Sequence, residues 1–172
     1  MKKRKGLLAS VIFAVVVIAD VFLFGPQIFA TVWEARTGFH RDLHGIRFHV
    51  PLFYVSSDST AYGQYDFATT PSPTRKKYAF ITVDFQKQSS EAPPRPMTTS
   101  ALERLHERLT GQRTATLAGK SGTCFEYADE KNVVTIECYF DGGPRTWFMG
   151  TPNTVEDFYT FMNRAETMSK TN

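Results

Sequence analysis

The sequence predicts an α+β fold in which an antiparallel sheet is flanked by helices and preceded by one amino-terminal transmembrane helix. Apolar and polar residues alternate in two early segments, which is typical of strands with one buried face. A run of short strands separated by turn residues fills the second half, and two segments carry apolar residues at helical spacing. Strands joined by short turns pair antiparallel. We expect the helices to cover the sheet that these strands form.

The first element is an apolar run behind a basic cluster. Residues 2–5 are Lys-Lys-Arg-Lys, and residues 7–24 contain only Ser10 and Asp20 as polar residues. As a helix this run would measure about 27 Å, close to the roughly 30 Å of bilayer hydrocarbon. The cations precede the run, which indicates that the amino terminus is cytoplasmic, that the run lies in the cell membrane and that the domain is extracytoplasmic. The predicted divisions are a cytoplasmic basic tail over 1–6, a transmembrane signal anchor over 7–25, a juxtamembrane stalk over 26–44 and an extracytoplasmic α+β domain over 45–172.

A cleaved signal peptide, and hence a secreted domain, is the alternative. The best cleavage site, Ile28-Phe29-Ala30, has a bulky Ile where a small residue is needed, which favours the anchor. Asp20 lies about one turn from the outer end of the run. Its carboxylate can reach the headgroups there, although an intramembrane acid is also a candidate functional residue.

Two strands are predicted before the middle of the chain, over residues 46–50 and 79–85, because every second residue is apolar. Residues 56–75 are rich in turn formers and predict a long loop or a weak edge strand. A capping box of Ser100 and Glu103 predicts a helix that carries Leu102, Leu105 and Leu109 and stops at Gly111.

Short strands are then expected over 114–118, 121–128, 133–140 and 145–149. A last helix capped at Asn153 or Thr154 is predicted to lay an apolar stripe on the sheet. The stripe consists of Val155, Phe158, Phe161, Met162, Ala165 and Met168.

The two cysteines are predicted to form a structural disulfide. Cys124 and Cys138 fall directly opposite each other if Asp129 pairs with Val133 around a three-residue turn. A two-residue turn would instead place the sulfurs on opposite faces of the hairpin. Export of the domain favours oxidation of the two cysteines to a disulfide. The chain has no Cys-x-x-Cys spacing, so its sequence does not indicate thiol exchange.

The net charge of +3 comes from the amino terminus. Four of the twenty cations lie at residues 2–5 and Asp20 lies in the apolar run, so residues 25–172 hold sixteen cations and sixteen anions. A nucleic-acid-binding domain would concentrate Lys and Arg, so no nucleic-acid partner is expected.

The segment His40-Arg-Asp42-Leu-His44, followed by His49, contains residue types that can bind zinc. At four-residue spacing, His40 and His44 would share one face of a helix. The Glu of a His-Glu-x-x-His motif is absent, and histidines beside a bilayer explain the segment equally well. We therefore assign no catalytic, metal or cofactor residues, and keep a small metal-dependent envelope hydrolase as the alternative function.

An aromatic stretch is the candidate partner contact. Tyr62, Tyr65 and Phe67 lie among Ser, Thr, Gly and Pro residues, ahead of Arg75-Lys-Lys77. Exposed aromatics beside cations are typical of protein contact surfaces, and burial in the core is the alternative.

The segment Gly45-Ile-Arg-Phe48-His-Val50-Pro51-Leu-Phe53 resembles the first strand of the PsbP-like fold, which also occurs in DcrB-like envelope proteins. The order of elements continues the resemblance to about Met168, through the strand that contains Trp147-Phe-Met-Gly150. The resemblance implies an antiparallel sheet flanked by helices and a non-enzymatic accessory or assembly role outside the cytoplasm. The chain lacks the amino-terminal Cys of DcrB-like lipoproteins and adds Cys124 and Cys138. These features together predict a membrane-anchored module that binds or assembles another envelope protein.

Overall fold

Most of the described secondary structure after the amino-terminal helix consists of β-strands. The computed structural model describes residues 2–59, 63–69, 78–86 and 95–168. Its elements are α1 (Lys2–Ala35), β1 (His40–Leu43), β2 (Ile46–His49), β3 (Tyr54–Ser59), β4 (Gln64–Thr69), β5 (Ala79–Asp84), α2 (Thr99–Leu105), β6 (Glu107–Leu117), β7 (Lys120–Asp129), β8 (Val134–Phe140), β9 (Arg145–Gly150), α3 (Val155–Asn163) and β10 (Glu166–Thr167).

These strands form two antiparallel sheets. The large sheet has the order β3-β4-β5-β9-β8-β7-β6, and the small sheet has the order β1-β2-β10. Antiparallel sheets with helices packed beside them confirm the predicted α+β class.

The core lies between one face of the large sheet and the layer formed by α3 and the small sheet. We call this the inner face; its central residues include Phe67, Ile81 and Phe148, all fully buried. The ring of Phe158 in α3 lies 5.0 Å from that of Phe148, and Phe161 lies 4.9 Å from Phe67. The predicted stripe of the last helix therefore packs on the sheet. The helix itself ends at Asn163, because β10 pairs with β2 from Glu166 onward.

The amino-terminal helix is bent. The segments Ile12–Val21 and Leu23–Ala35 meet at 53°. Pro26 accounts for the bend, because its ring clashes with the carbonyl four residues earlier, at position 22, and it donates no hydrogen bond there. Within the described ranges no single helix has both the length and the apolar character of a membrane span, while the two segments of α1 together meet that criterion. The anchor over 7–25 therefore stays a prediction.

The segment 26–44, expected to be a stalk, makes contacts with the domain. The side chains of Gln27, Ala30 and Glu34 are buried where α1 lies against β3. The chain then turns and forms β1, which pairs with β2 over its whole length.

Within 56–75, the described residues 56–59 and 63–69 contain more regular structure than the loop or weak edge strand that the sequence predicted. β3 and β4 form a hairpin, and β4 also pairs with β5, which makes β4 an internal strand. Gly63, with φ of 64°, lies just before β4, where a left-handed conformation favours glycine. The sequence did not predict this hairpin for two reasons: turn-forming residues surround it, and β4 carries polar residues on one face.

The prediction of a helix from Ser100 to Gly111 was wrong at both ends. The helix begins one residue earlier, its cap position is Thr98, and the capping box does not form. It ends at Leu105, since His106 has φ of 54°, and β6 begins at Glu107. Pairing with β7 outweighs the leucine spacing, and the register shift between Leu109 and Gly111 places a β-bulge where the helix stop was expected.

Candidate functional site

The disulfide is present at the predicted register. Cys124 pairs directly with Cys138, and their sulfurs are 2.01 Å apart. The turn has three residues, because the Asp129 N–H donates to the Val133 carbonyl at 3.1 Å. Asn132 takes a left-handed conformation with φ of 59°, and the Asp129 carboxylate accepts the N–H groups of Lys131 and Val133. A local turn therefore fixes the register that joins the cysteines.

The histidine segment is a β-hairpin rather than a helix. His40 lies opposite His49 in the pairing of β1 with β2, and His44 lies in the turn with φ of 49°. The His44 ring stacks on Phe85 at 4.4 Å. The prediction that His40 and His44 share one face of a helix, on which the metal alternative depended, is therefore wrong.

The other two members of that cluster, Asp42 and His49, each lie beside an ionisable side chain. Asp42 accepts two hydrogen bonds from Arg47, at 2.8 and 2.9 Å, and this pairing lowers the pKa of the Asp42 carboxyl. His49 lies 3.6 Å from Glu166. Across the described part of the chain, no group of three or more His, Cys, Asp or Glu side chains is arranged to hold a metal ion.

The aromatic residues predicted as a partner contact do not form one exposed cluster. Phe67 is fully buried and packs on Phe48 and Phe161. Tyr65 is half-buried and contacts the ring of Phe85 edge-on at 6.0 Å. Tyr62 and Arg75-Lys-Lys77 lie outside the described residues. Core burial, the alternative considered for this stretch, therefore applies to Phe67.

Another set of aromatic side chains lies on the opposite face of the large sheet, which we call the outer face. The ring of Phe80 is 6.1 Å from that of Trp147, and the ring of Phe125 is 6.2 Å from that of Tyr139. Phe80, Trp147 and Tyr139 are half-buried. Large apolar rings on a sheet face that neither α3 nor the small sheet covers are typical of contact surfaces.

A polar network is embedded among these rings. Arg145 donates to Glu137 at 2.8 Å, and the Tyr139 hydroxyl donates to the other carboxylate oxygen at 3.0 Å. The Arg145 guanidinium also lies 5.1 Å from the centre of the Tyr139 ring. Burial, followed by the negative charge of Glu137, raises the pKa of Tyr139 to about 12. The Arg145 Nε atom is buried and has no hydrogen-bond partner among the described residues, so one donor of the network is unpaired.

Sequence reasoning missed this outer-face network. Glu137 is not among the candidate site residues that the sequence predicted. The signal was available in the cysteine register, because a residue adjacent to Cys138 must point to the face opposite the disulfide.

One end of the outer face is covered by the segment that leads into α2. The Met97 N–H donates to the Tyr127 hydroxyl at 3.0 Å, and Tyr127 is fully buried. Beside this contact lies an open depression of about 610 Å³ between α2 and the start of β6 and end of β7. Its lining residues are Leu102, Glu103, His106, Glu107, Arg108, Ala128, Asp129, Glu130 and Asn132.

Comparison with solved structures finds a similarity to cyanobacterial PsbP (CyanoP) from Synechocystis sp. PCC 6803, determined in solution. The two share 14% sequence identity with a TM-score of 0.43, over 72% of this chain and 86% of that one. This is a weak resemblance to the PsbP-like fold that the first strand also resembles. No family model and no curated protein sequence matches the chain.

Proposed function

We propose that this chain is a membrane-anchored, extracytoplasmic module that binds or helps to assemble another envelope protein and performs no catalysis of its own. The observation that carries the proposal is the aromatic surface on the outer face, where Phe80 contacts Trp147 and Tyr139 contacts the Arg145–Glu137 ion pair. Aromatic residues and Arg are enriched at protein interfaces, where one well-packed cluster supplies most of the binding energy.

The amino-terminal helix supports the anchored location. Its first segment exposes large apolar side chains all round, at residues Ile12, Phe13, Val15, Val16, Val17, Ile18 and Val21. A helix that is apolar on every side is stable in a bilayer or when buried in protein. The second segment stacks Phe29 on Trp33 at 5.9 Å, with Arg36 over the Trp33 ring, a combination suited to the membrane–water interface.

The contact between helix and domain would give such an anchor a mechanical role. The Glu34 carboxylate accepts hydrogen bonds from the N–H and hydroxyl of Ser56, at 2.9 and 3.0 Å, and pairs with Arg41 at 2.8 Å. Glu34 is 1% exposed. A helix held in this way presents the domain to a partner in a fixed orientation relative to the bilayer.

A cross-linked pull-down from membranes tests the proposal. The full chain should recover a specific envelope protein, and Trp147→Ala should reduce the recovered amount by about tenfold, as for a central interface residue. Leu52→Ala is the matched control, because Leu52 is 60% exposed and lies outside the large sheet. Recovery of no partner after cross-linking would contradict the proposal, and so would a stoichiometric metal in elemental analysis combined with hydrolytic activity.

A further inference from the structure

The two edges of the large sheet differ. The edge strand β3 is covered by α1, and the Ser56 N–H on that edge donates to Glu34. At the opposite edge, no strand among the described residues pairs with the outer side of β6. An open edge presents unpaired N–H and C=O groups, which are a template for another strand.

β6 carries few of the features that normally protect an edge. It has eleven residues, seven of them exposed, and it contains neither Pro nor Lys. Its one bulge lies near the start, between Leu109 and Gly111, and leaves Gly111 to Leu117 in regular pairing with β7. The cation in that stretch, Arg113, is engaged with Glu126 at 2.7 Å and with Glu156 of α3 at 3.1 Å.

The turn after β6 determines which backbone groups point outward. Ala118 and Gly119 form a two-residue turn with φ of 49° and 79°, and Leu117 pairs with Lys120 across it. Since hydrogen bonds to a neighbouring strand use alternate residues, the outward N–H and C=O groups belong to Gln112, Thr114 and Thr116.

The depression at the other end of β6 is acidic. Four acidic residues line it, and Arg108 is the one Lys or Arg among its lining residues. The acidic residues are Glu103, Glu107, Asp129 and Glu130. One oxygen of Glu107 accepts from Thr135, whereas its Oε2 atom is buried and has no hydrogen-bond partner among the described residues. Leu102 supplies apolar contact at the same place. A buried carboxylate oxygen without a partner favours a cationic side chain that can donate to it.

We propose that β6 binds an extended segment of the partner protein by strand addition, with a Lys or Arg side chain of that segment seated in the acidic depression. This inference rests on the proposed binding function and specifies its mode. Main-chain hydrogen bonds to residues 112–116 would supply affinity, and the depression would supply specificity for a basic residue. The alternative occupant of the edge is a second copy of this chain, and the test distinguishes it from a segment of the partner protein.

The test uses the purified full chain and a short fluorescent peptide of alternating Val and Thr with one Lys near its amidated carboxyl end. Antiparallel pairing with β6 brings that Lys to the depression. A matched peptide carries Glu in place of Lys. Anisotropy titration should show that the Lys peptide binds at least about tenfold more tightly than the Glu peptide, as for a charge-assisted hydrogen bond.

Two variants separate the edge from the depression. Thr114→Pro removes an outward N–H without removing a bond to β7, and it should weaken binding of the Lys peptide by about tenfold or more, whereas Thr114→Ala should not. Glu107→Gln should reduce the preference for Lys over Glu by several-fold, because it removes the carboxylate proposed to accept from the Lys while Glu103, Asp129 and Glu130 remain. If Thr114→Pro fails to fold, Glu107→Gln and slowed hydrogen exchange at Gln112, Thr114 and Thr116 of the natural chain decide the question.

Equal binding of the peptide by Thr114→Pro and Thr114→Ala would overturn the inference. So would a dimer of the natural chain that Thr114→Pro converts to a monomer, because the edge would then serve a second copy. The peptide assay needs no natural partner. Failed peptide binding with a successful pull-down therefore rejects strand addition alone, and the reverse result rejects the assembly role.

Discussion

At the scale of single residues, Glu34 is the side chain whose environment most constrains its chemistry. Its carboxylate is buried between α1, Ser56 of β3 and Arg41 of β1, so it joins three elements. A buried carboxylate is stable only while its partners remain in place.

Glu34→Ala should lower the free energy of unfolding by about 3 kcal/mol, because it leaves Arg41 and the Ser56 N–H without their acceptor. Chemical denaturation of the full chain measures this change. Glu156→Ala is the control, since the Glu156 side chain is 78% exposed and a pair of that kind contributes at most about 1 kcal/mol. Equal losses in the two variants would show that Glu34 does not stabilise the helix contact.

Tyr139 gives the outer face a measurable pH dependence. Burial and Glu137 raise its pKa from 10.0 to about 12, so the folded protein holds the phenolic proton more tightly than the unfolded chain does. The resulting stability is present below pH 10 and is lost as the pH rises from 10 to 12. Glu137→Gln should lower the Tyr139 pKa in an NMR titration, because it removes the neighbouring negative charge. An unchanged pKa would contradict the network described for the outer face.

At the scale of elements, the close packing of the β7–β8 hairpin depends on the absence of a side chain at Gly122. Gly122 of β7 lies opposite Phe140, and a Cβ there would approach the Phe140 ring to 2.4 Å and the Tyr139 carbonyl oxygen to 2.6 Å. At Gly111 of β6 the nearest atom to a Cβ would be a Glu126 oxygen at 3.5 Å, an ordinary contact.

Gly122→Ala should therefore destabilise the protein by about 1–3 kcal/mol, the range seen for overpacked sites. Gly111→Ala should change the free energy of unfolding by less than about 0.5 kcal/mol, as at unstrained positions near the surface. Thermal unfolding of the two variants under one condition compares them. A larger loss for Gly111→Ala would contradict this difference in packing between the two glycines.

The elements also show which local signals are sufficient to predict structure. Alternation over residues 46–50 and 79–85 predicted β2 and β5, and the three-residue turn after Asp129 predicted the cysteine register. The leucines of 102–109 predicted one helix, yet their second half forms β6. Leu109 lies opposite Tyr127, a residue distant in sequence, and propensity over so short a segment cannot exceed the stability of such pairing.

At the scale of the whole molecule, the exposed apolar helix and the neutral domain divide the chain into two chemically different parts. Residues 25–172 carry balanced charge, while the first segment of α1 exposes Ile, Phe and Val. We expect the helix, rather than the charge of the domain, to determine where the protein resides.

Arg substitution at both Val16 and Val17 should therefore release the chain from membranes, because each Arg near the centre of a span costs about 2.5–3.5 kcal/mol. Alkaline carbonate extraction measures the release, with Leu52→Arg as the control at an exposed position of the domain. Extraction of the natural chain under the same conditions, or a mature mass that lacks α1, would contradict the anchor.

The sequence by itself determined the α+β class and the alternating strands, because these depend on the period of two along a strand. It predicted the disulfide register only for a three-residue turn, and the structure decided that the turn has that length. The tertiary structure decided that Phe67 is core, that residues 107–109 are strand, that Glu34 is buried and that β6 is an open edge. Each of these depends on which distant segments lie side by side. Burial and strand pairing are properties of that arrangement, so they are absent from any local pattern of residues.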